Sequence, residues 1–482
     1  MRDILAIDVG TTRFKAGVFA PDLTPRSYTS RSYDANFYDR VKADIDPKKW
    51  WEALRSSCSE LRGFLPNVGV LALSVTTPGL VPMNEDGDAL GPAILFLDGR
   101  SHEQARQIRA RVGEDYFLET ACNLPVSGGS SLCSILWIQQ NQPDVWRATA
   151  KFGHCNTYLV KRLTGSWAID PSTISITGLY NTSRNDLTWN ARVLDCAGIP
   201  DSKLPPVLES HRRVGGILPE VAAELGLPAD TAVLCGANDA VLAALSGGVA
   251  DSGDIGTTHG TCDISYVCTD HPTRSRNYNI RCHVLPGRWL TFCVLNTGGK
   301  ALEWFHSVFC ADMTADEFFT GYIPSILTSF LDSGERDQTE EALPHYVPFL
   351  QGSRYCLEQR TAGFSGVTLE TTRERLLLSL IRGNLVYLGE NLREVGTKVH
   401  LGQTVVTSGG AARIRGFSKA QERWMGNFHY EFKDQSSLTG AAMLGRMAQQ
   451  EDQGSTPGSL PPGSPSCPHP GQEWHRNTWT NG

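Results

Sequence analysis

None of the 482 residues form an apolar run near the roughly 20 that a bilayer-spanning helix needs, so no such helix is expected. An apolar leader is missing as well, because the chain runs at once into Ile4-Leu5-Ala6-Ile7-Asp8, a short strand flanked by charge. The 13 cysteines include no Cys-x-x-Cys pair and are scattered through apolar stretches, which argues against both a disulfide framework and a zinc site. They read as reduced, mostly buried thiols of a cytoplasmic protein. Nor is there a basic excess. With 44 Lys and Arg against 51 Asp and Glu, the net charge of −7 gives nucleic acid no electrostatic footing.

What is present is an ordinary globular composition, 40% hydrophobic and 20% charged, in a chain too long for one hydrophobic core. Two domains of α/β type are expected, because short apolar strands alternate with amphipathic helices. Residues 4–7 and 14–19 are apolar, with the polar turn Asp8-Val9-Gly10-Thr11-Thr12 between them, and so predict a β-hairpin. Asp46 and Pro47 then open a helix with Trp50, Leu54, Cys58 and Leu61 on one stripe. A buried strand at 68–75 ends in Thr76-Thr77-Pro78-Gly79.

The series then repeats. A strand at 231–236 runs into Asn238-Asp239 and a small-residue helix, and Gly256-Thr257-Thr258 restates the Gly-Thr theme before a strand at 263–267. The pattern resembles one fold drawn twice, each copy with its own Gly-Thr turn. Residues 371–394 predict a long amphipathic helix, and a strand at 405–408 leads into Gly409-Gly410-Ala411-Ala412. From about Glu451 the chain turns rich in Gly, Ser and Pro and is expected to form a disordered tail, residues 449–482.

These pieces could carry phosphoryl transfer. Glycine-rich turns bring backbone N–H groups close to phosphates, a carboxylate such as Asp8 can hold Mg²⁺ through water, and Asp239 can accept a hydroxyl proton. Gly409-Gly410 would let an adenosine lie on bare backbone. Each element alone has a plain structural reading: a hairpin connection, a helix cap, or helix-sheet packing. His259 reads as a satisfied structural histidine, and Lys15 suits a solvated strand lysine as well as a phosphate ligand.

The order Asp8-x-Gly10-Thr11-Thr12, Asp98-Gly99-Arg100, Asn238-Asp239, Gly256-Thr257-Thr258 and Gly409-Gly410-Ala411 resembles the FGGY family of carbohydrate kinases over about residues 1–448. Pro92 to Arg100 resembles the xylulokinases of that family in particular. The resemblance implies two ribonuclease-H-like (actin and hexokinase type) domains around a central cleft, residues 1–236 and 237–448, with ATP, Mg²⁺ and a small sugar as ligands and a homodimer as a possible assembly. It makes Asp239 the catalytic base and Asp8 the metal-site carboxylate. Gly10, Thr11, Thr12, Gly256 and Thr257 fall to the phosphates, with Gly298, Gly299, Gly409 and Gly410 on the nucleotide side. Thr76, Thr77, Asp98 and Asn238 fall near the sugar. The implied reaction is ATP-dependent phosphorylation of a ketopentose such as xylulose or ribulose; the alternatives are an L-fuculose-like sugar, gluconate or a polyol, or a non-catalytic sensor on the same fold. The chain departs from the family pattern at Thr76-Thr77-Pro78-Gly79, at Ser134 where a lysine is expected, and at Arg382 where an acid or amide is expected.

Overall fold

A computed structural model describes residues 1–38, 41–332, 340–358 and 360–454. Two sheets dominate, and they share one wiring. In the first, Asp3–Val9 pairs antiparallel with Arg13–Phe19, which pairs antiparallel with Pro25–Ser32. On its other side Asp3–Val9 lies parallel to Val68–Val75, followed by Ala232–Leu234. In the second, Ile255–His259, Asp263–Thr269 and Trp289–Leu295 form the antiparallel meander. Thr404–Ser408 and then His429–Phe432 add in parallel on the far side. The expected duplication is therefore present as two sheets of matching order.

Strand and helix formation follow the apolar pattern. Asp3–Val9 is buried along its whole length, as a central strand covered on both faces must be. The early helix occupies Lys48–Glu60 and continues as a 3-10 turn, Arg62–Asn67. Asp46 holds its start by accepting the Lys48 N–H at 3.0 Å. The predicted long helix is Arg373–Gly396, capped by Thr372.

Two helices lie between the sheets. Asp239–Gly247 and Ser437–Glu451 share a core with Ile4, Ala6, Val70 and Ala72 from the first sheet and Tyr266, Cys268, Leu290 and Phe292 from the second. Flanking cores cover the outer faces. The helices meet at Gly440, where an added Cβ would stand 2.1 Å from the Leu242 carbonyl oxygen, so no side chain fits. This arrangement moves two expected limits. Ala237–Asn238 still pairs with Val68–Val75, which carries the first sheet past residue 236. The final helix also runs through Gln449, whose amide exchanges hydrogen bonds with the Arg2 backbone, so the chain is ordered beyond residue 448. The rest of the expected tail, from 455 onward, lies outside the described residues.

A smaller sheet extends the first half. Its strand Gly79–Met83 continues directly from Val68–Val75 through Thr76-Thr77-Pro78, which places those threonines at the junction of the two sheets. The described cysteines are free and mostly buried, and among the described residues no helix is long and apolar enough to cross a membrane.

The Gly440 contact yields a direct test. Gly440→Ala, although alanine favours helix, should lower the thermal midpoint and cost about 1–3 kcal/mol in chemical denaturation. Gly63→Ala, where an added Cβ meets nothing within 4 Å, should be neutral in the same measurement.

Candidate active site

Parallel strands place ligands at their carboxyl ends, where side chains and helix starts converge. Asp3–Val9, Val68–Val75 and Ala237–Asn238 end side by side here, with Thr76 N–H donating to the Val9 carbonyl at 2.9 Å. Register then sets the first contacts. Asp8 sits opposite Ser74 on one neighbour and Lys15 on the other, so all three point to one face. Asp8 is 3% exposed; its Oδ1 accepts from Ser74 Oγ at 2.8 Å and its Oδ2 from Lys15 Nζ at 3.2 Å. Lys15 thus belongs to the site, a role its strand position had left open.

Asp239 starts the central helix, with Asn238 as its cap: Asn238 Oδ1 accepts the Val241 N–H at 3.2 Å. The Asn238 side-chain amide donates to Asp239 Oδ1 and to Thr77 Oγ1, both at 2.9 Å. Asn238 is therefore a buried spacer between the threonine loop and the carboxylate, 1% exposed. Thr77 Oγ1 accepts a second bond, from Arg281 Nη1 at 3.0 Å. Arg281 comes from Asn279–Cys282, the edge strand of the second sheet, so this bond joins the two sheets across the cleft floor. Arg281 was not anticipated from sequence, because an arginine in a short strand carries no signal until the fold brings it within reach of residue 77.

Electrostatics at this point are distinctive. Burial, reinforced by the nearby Asp8 carboxylate, pushes the Asp239 carboxyl up to about 6, while Arg281 opposes the shift. Arg281 is itself lowered to about 10 by burial, with Asp239 holding it up. A carboxylate titrating near neutrality, poised at the end of a helix and facing a cleft, is suited to accept a proton from a hydroxyl.

The nucleotide side is a cluster of close approaches. The structural counterpart of the first hairpin turn, residues 10–12, is residues 260–262, between Ile255–His259 and Asp263–Thr269. This corrects the expected placement of the second Gly-Thr turn. Gly256 and Thr257 lie inside the strand: Gly256 is buried where a Cβ would come within 2.2 Å of the Tyr266 ring, and Thr257 is fully buried. Two Gly-Thr pairs occur within five residues of sequence, 256–257 and 260–261, and only strand register decides which one turns. Thr258, whose side chain alternates to the other face from Thr257, lines the cleft instead.

Gly298, Gly299 and Gly409 all pack on that turn. Gly299 N–H donates to the Gly260 carbonyl at 2.7 Å and Gly298 N–H to Thr261 at 2.9 Å, and an 11-residue helix starts there. A Cβ on Gly409, which has φ +95°, would lie 2.4 Å from the His259 carbonyl oxygen. Gly410 follows, exposed, before the turn Ala411–Arg413. Lys300, next to the helix start, lines the cleft. Exposed backbone at a helix N-terminus with a lysine beside it suits phosphate oxygens. His259 is structural as expected: Nδ1 bonds Asp263 at 2.9 Å, Nε2 bonds Gln421 at 3.0 Å, and the ring packs on Phe417.

Asp98 takes no part in the cleft wall. It is 1% exposed, and its carboxylate accepts from Ala43 N–H at 2.9 Å and from Arg100 Nε at 2.8 Å. Arg100 in turn covers the Trp137 ring at 5.0 Å. The expected sugar contact is instead a buried ion pair that fixes the loop.

The cleft between these groups encloses about 1560 Å³, with Thr76, Thr77, Asp239 and Arg281 on one side and Thr258, Lys300 and Arg354 on the other. Among the described residues no cluster of three or more His, Cys, Asp or Glu could cage a metal ion. Asp8 near Asp239 fits the Mg²⁺ alternative, in which one or two carboxylates and several waters accompany substrate phosphates.

With this geometry in hand, comparison with known proteins is informative. The sequence profile of the FGGY family of carbohydrate kinases, N-terminal domain, matches residues 3–246. A xylulose kinase of Staphylococcus xylosus is 23% identical over 457 residues, covering 93% of this chain and 92% of the relative. A gluconokinase of Bacillus subtilis is 26% identical over 465 residues, covering 92% and 87%. Among solved structures, a ligand-bound xylulose kinase from Lactobacillus acidophilus superposes with a TM-score of 0.84 at 20% identity, covering 94% of this chain and 90% of that one.

The raised Asp239 carboxyl makes two linked predictions. Its base form is lost below about pH 6, so sugar-dependent kcat/KM should fall about tenfold per pH unit beneath that midpoint. A carboxyl raised on folding stabilises the fold while protonated and loses that contribution as pH rises through its folded value. Asp239→Asn should therefore cut turnover by roughly 10²–10⁴ yet raise the thermal midpoint at pH 7.5.

Proposed function

Because the chain belongs to the FGGY family of carbohydrate kinases, we propose that its Asp239 deprotonates a sugar hydroxyl as that hydroxyl takes the γ-phosphoryl group of MgATP. The observation that carries this reading is the chain of contacts Arg281–Thr77–Asn238–Asp239 at the floor of a cleft whose other wall offers a helix N-terminus and Lys300.

Phosphoryl transfer asks mainly for positioning and charge stabilisation, since the transition state is loose and its charge spreads over the phosphoryl oxygens. The two hairpin turns, Gly10–Thr12 and Gly260–Cys262, and the helix starting at Gly299 would hold the phosphates. Lys15, bonded to Asp8, would add a positive charge beside them. Mg²⁺, when bound, would neutralise phosphate charge, with Asp8 as the carboxylate that receives it. Thr76 and Thr77 would contact the sugar, and Asn238 would hold Asp239 at a fixed angle. The Arg281–Thr77 bond ties the two sheets together, so a sugar bound between them reports on closure, and a closed cleft excludes the water that would otherwise hydrolyse ATP.

The acceptor proposed first is a ketopentose, supported by the xylulose kinase relatives. A second reading, a sugar acid such as an aldonate, has one observation in its favour. Asp98 is locked away from the cleft, whereas Arg281, Lys42 and His102 all line it. Donors thus outnumber acceptors on that wall, a balance that suits a carboxylate.

A coupled ADP-release screen over ketopentoses, aldonates and polyols tests both. A ketopentose-dependent signal supports the first and an aldonate-dependent signal the second, while a blank across the panel removes the kinase reading. Arg281→Leu should raise the sugar KM by about tenfold, the loss of one charge-assisted bond, while the KM for ATP stays within about twofold.

A further inference from the structure

A second cavity, of about 730 Å³, lies behind the cleft and shares with it the wall formed by Phe349, Ser353, Cys356, Glu358 and Arg360. We infer that this cavity is a binding site for a small metabolite, which it holds through a phosphate or carboxylate group. Its volume falls within the roughly 300–1,000 Å³ of small-molecule pockets.

Unsatisfied polar atoms in its wall carry the argument. Arg109, 7% exposed, donates from Nε to the Pro125 carbonyl at 2.6 Å and from Nη1 to Glu114 at 3.2 Å, but its Nη2 is buried with no partner. The Tyr346 hydroxyl, on a residue 3% exposed, is likewise unpartnered, and so is Asn391 Oδ1. Buried polar groups are nearly always bonded, and three on one cavity wall point to an occupant that bonds them. Two of the three are able to donate.

Charge gives the occupant its sign. Arg382, half-buried on the long helix, faces the same space, and it is the residue that stands where the family pattern has an acid or amide. The inner carboxylates are already engaged. Glu114 pairs with both Arg109 and Arg276, while Glu394 accepts from Asn277 at 2.8 Å and pairs with Lys398 at 3.0 Å. The other two lining carboxylates, Glu358 and Glu390, are exposed. The interior therefore offers guanidinium and hydroxyl donors without a free acid, which selects an oxyanion. Because the wall is shared, an occupant here is positioned to shift residues that also border the sugar and nucleotide. The inference stands on this cavity alone and does not depend on which sugar the cleft accepts.

Calorimetric titration of the full chain tests it, with a non-hydrolysable MgATP analogue filling the cleft so that its phosphate sites are closed. Inorganic phosphate and malonate serve as separate probes, one for each source of the oxyanion. The expected result is saturable binding of at least one probe, weakened about tenfold by Arg382→Gln and at least threefold by Tyr346→Phe. Tyr346→Phe removes a single oxygen and carries the test should Arg382→Gln fail to fold. Absence of saturable heat for both probes up to roughly 10 mM, an affinity weaker than about −3 kcal/mol, overturns the inference. Unchanged affinity in both variants overturns it equally.

Discussion

The contact on which this structure turns is the crossing of two helices at Gly440, wedged between two sheets of like order. A residue with any side chain there would meet the Leu242 carbonyl, so the helices approach at backbone distance. That approach seats Asp239–Gly247 tightly against the carboxyl ends of the first sheet's parallel strands. The catalytic carboxylate is the first residue of that same helix. Packing in the core and position in the cleft are thus one constraint, and the base is held by the element buried most deeply between the halves.

From that placement the electrostatics follow. Asp239 cannot be packed there without losing water, and Asp8 cannot occupy the next strand without repelling it. Arg281 answers both, reaching from the opposite sheet to bond Thr77 while lending positive charge. Asn238 couples the threonine loop to the carboxylate, so a ligand that displaces Thr77 also bears on the base. An active site assembled from both halves has a natural connection between closure and chemistry, because its parts meet only when the halves do.

Much of the fold was legible along the chain. The N-terminal hairpin, the strand at residues 68–75, the small-residue helix after Asp239 and the long helix ending at Gly396 all announce themselves through period and punctuation, and each forms near its expected limits. The duplication was legible too, because each copy repeats a strand, a Gly-Thr turn and a second strand. Where reading along the chain erred, the reason was register. Gly256-Thr257 and Gly260-Thr261 are equivalent in composition, and strand pairing alone puts the second pair in the turn and the first inside the strand. Asp98 erred differently: an acid beside an arginine in a polar loop suits a ligand contact and an internal ion pair alike, and burial made it the latter.

The sequence by itself determined the class of fold, the family resemblance, the strand ends that carry Asp8 and Asp239, and the glycines of the nucleotide side, because these rest on local pattern and on short-range geometry. Tertiary structure decided the rest. Lys15 joined Asp8, Arg281 crossed more than two hundred residues to Thr77, and Arg382 came to face a cavity with Arg109 and Tyr346. Those pairings depend on how two sheets stack around two helices, and the free energy of a contact between distant residues leaves no periodic trace in the chain that makes it.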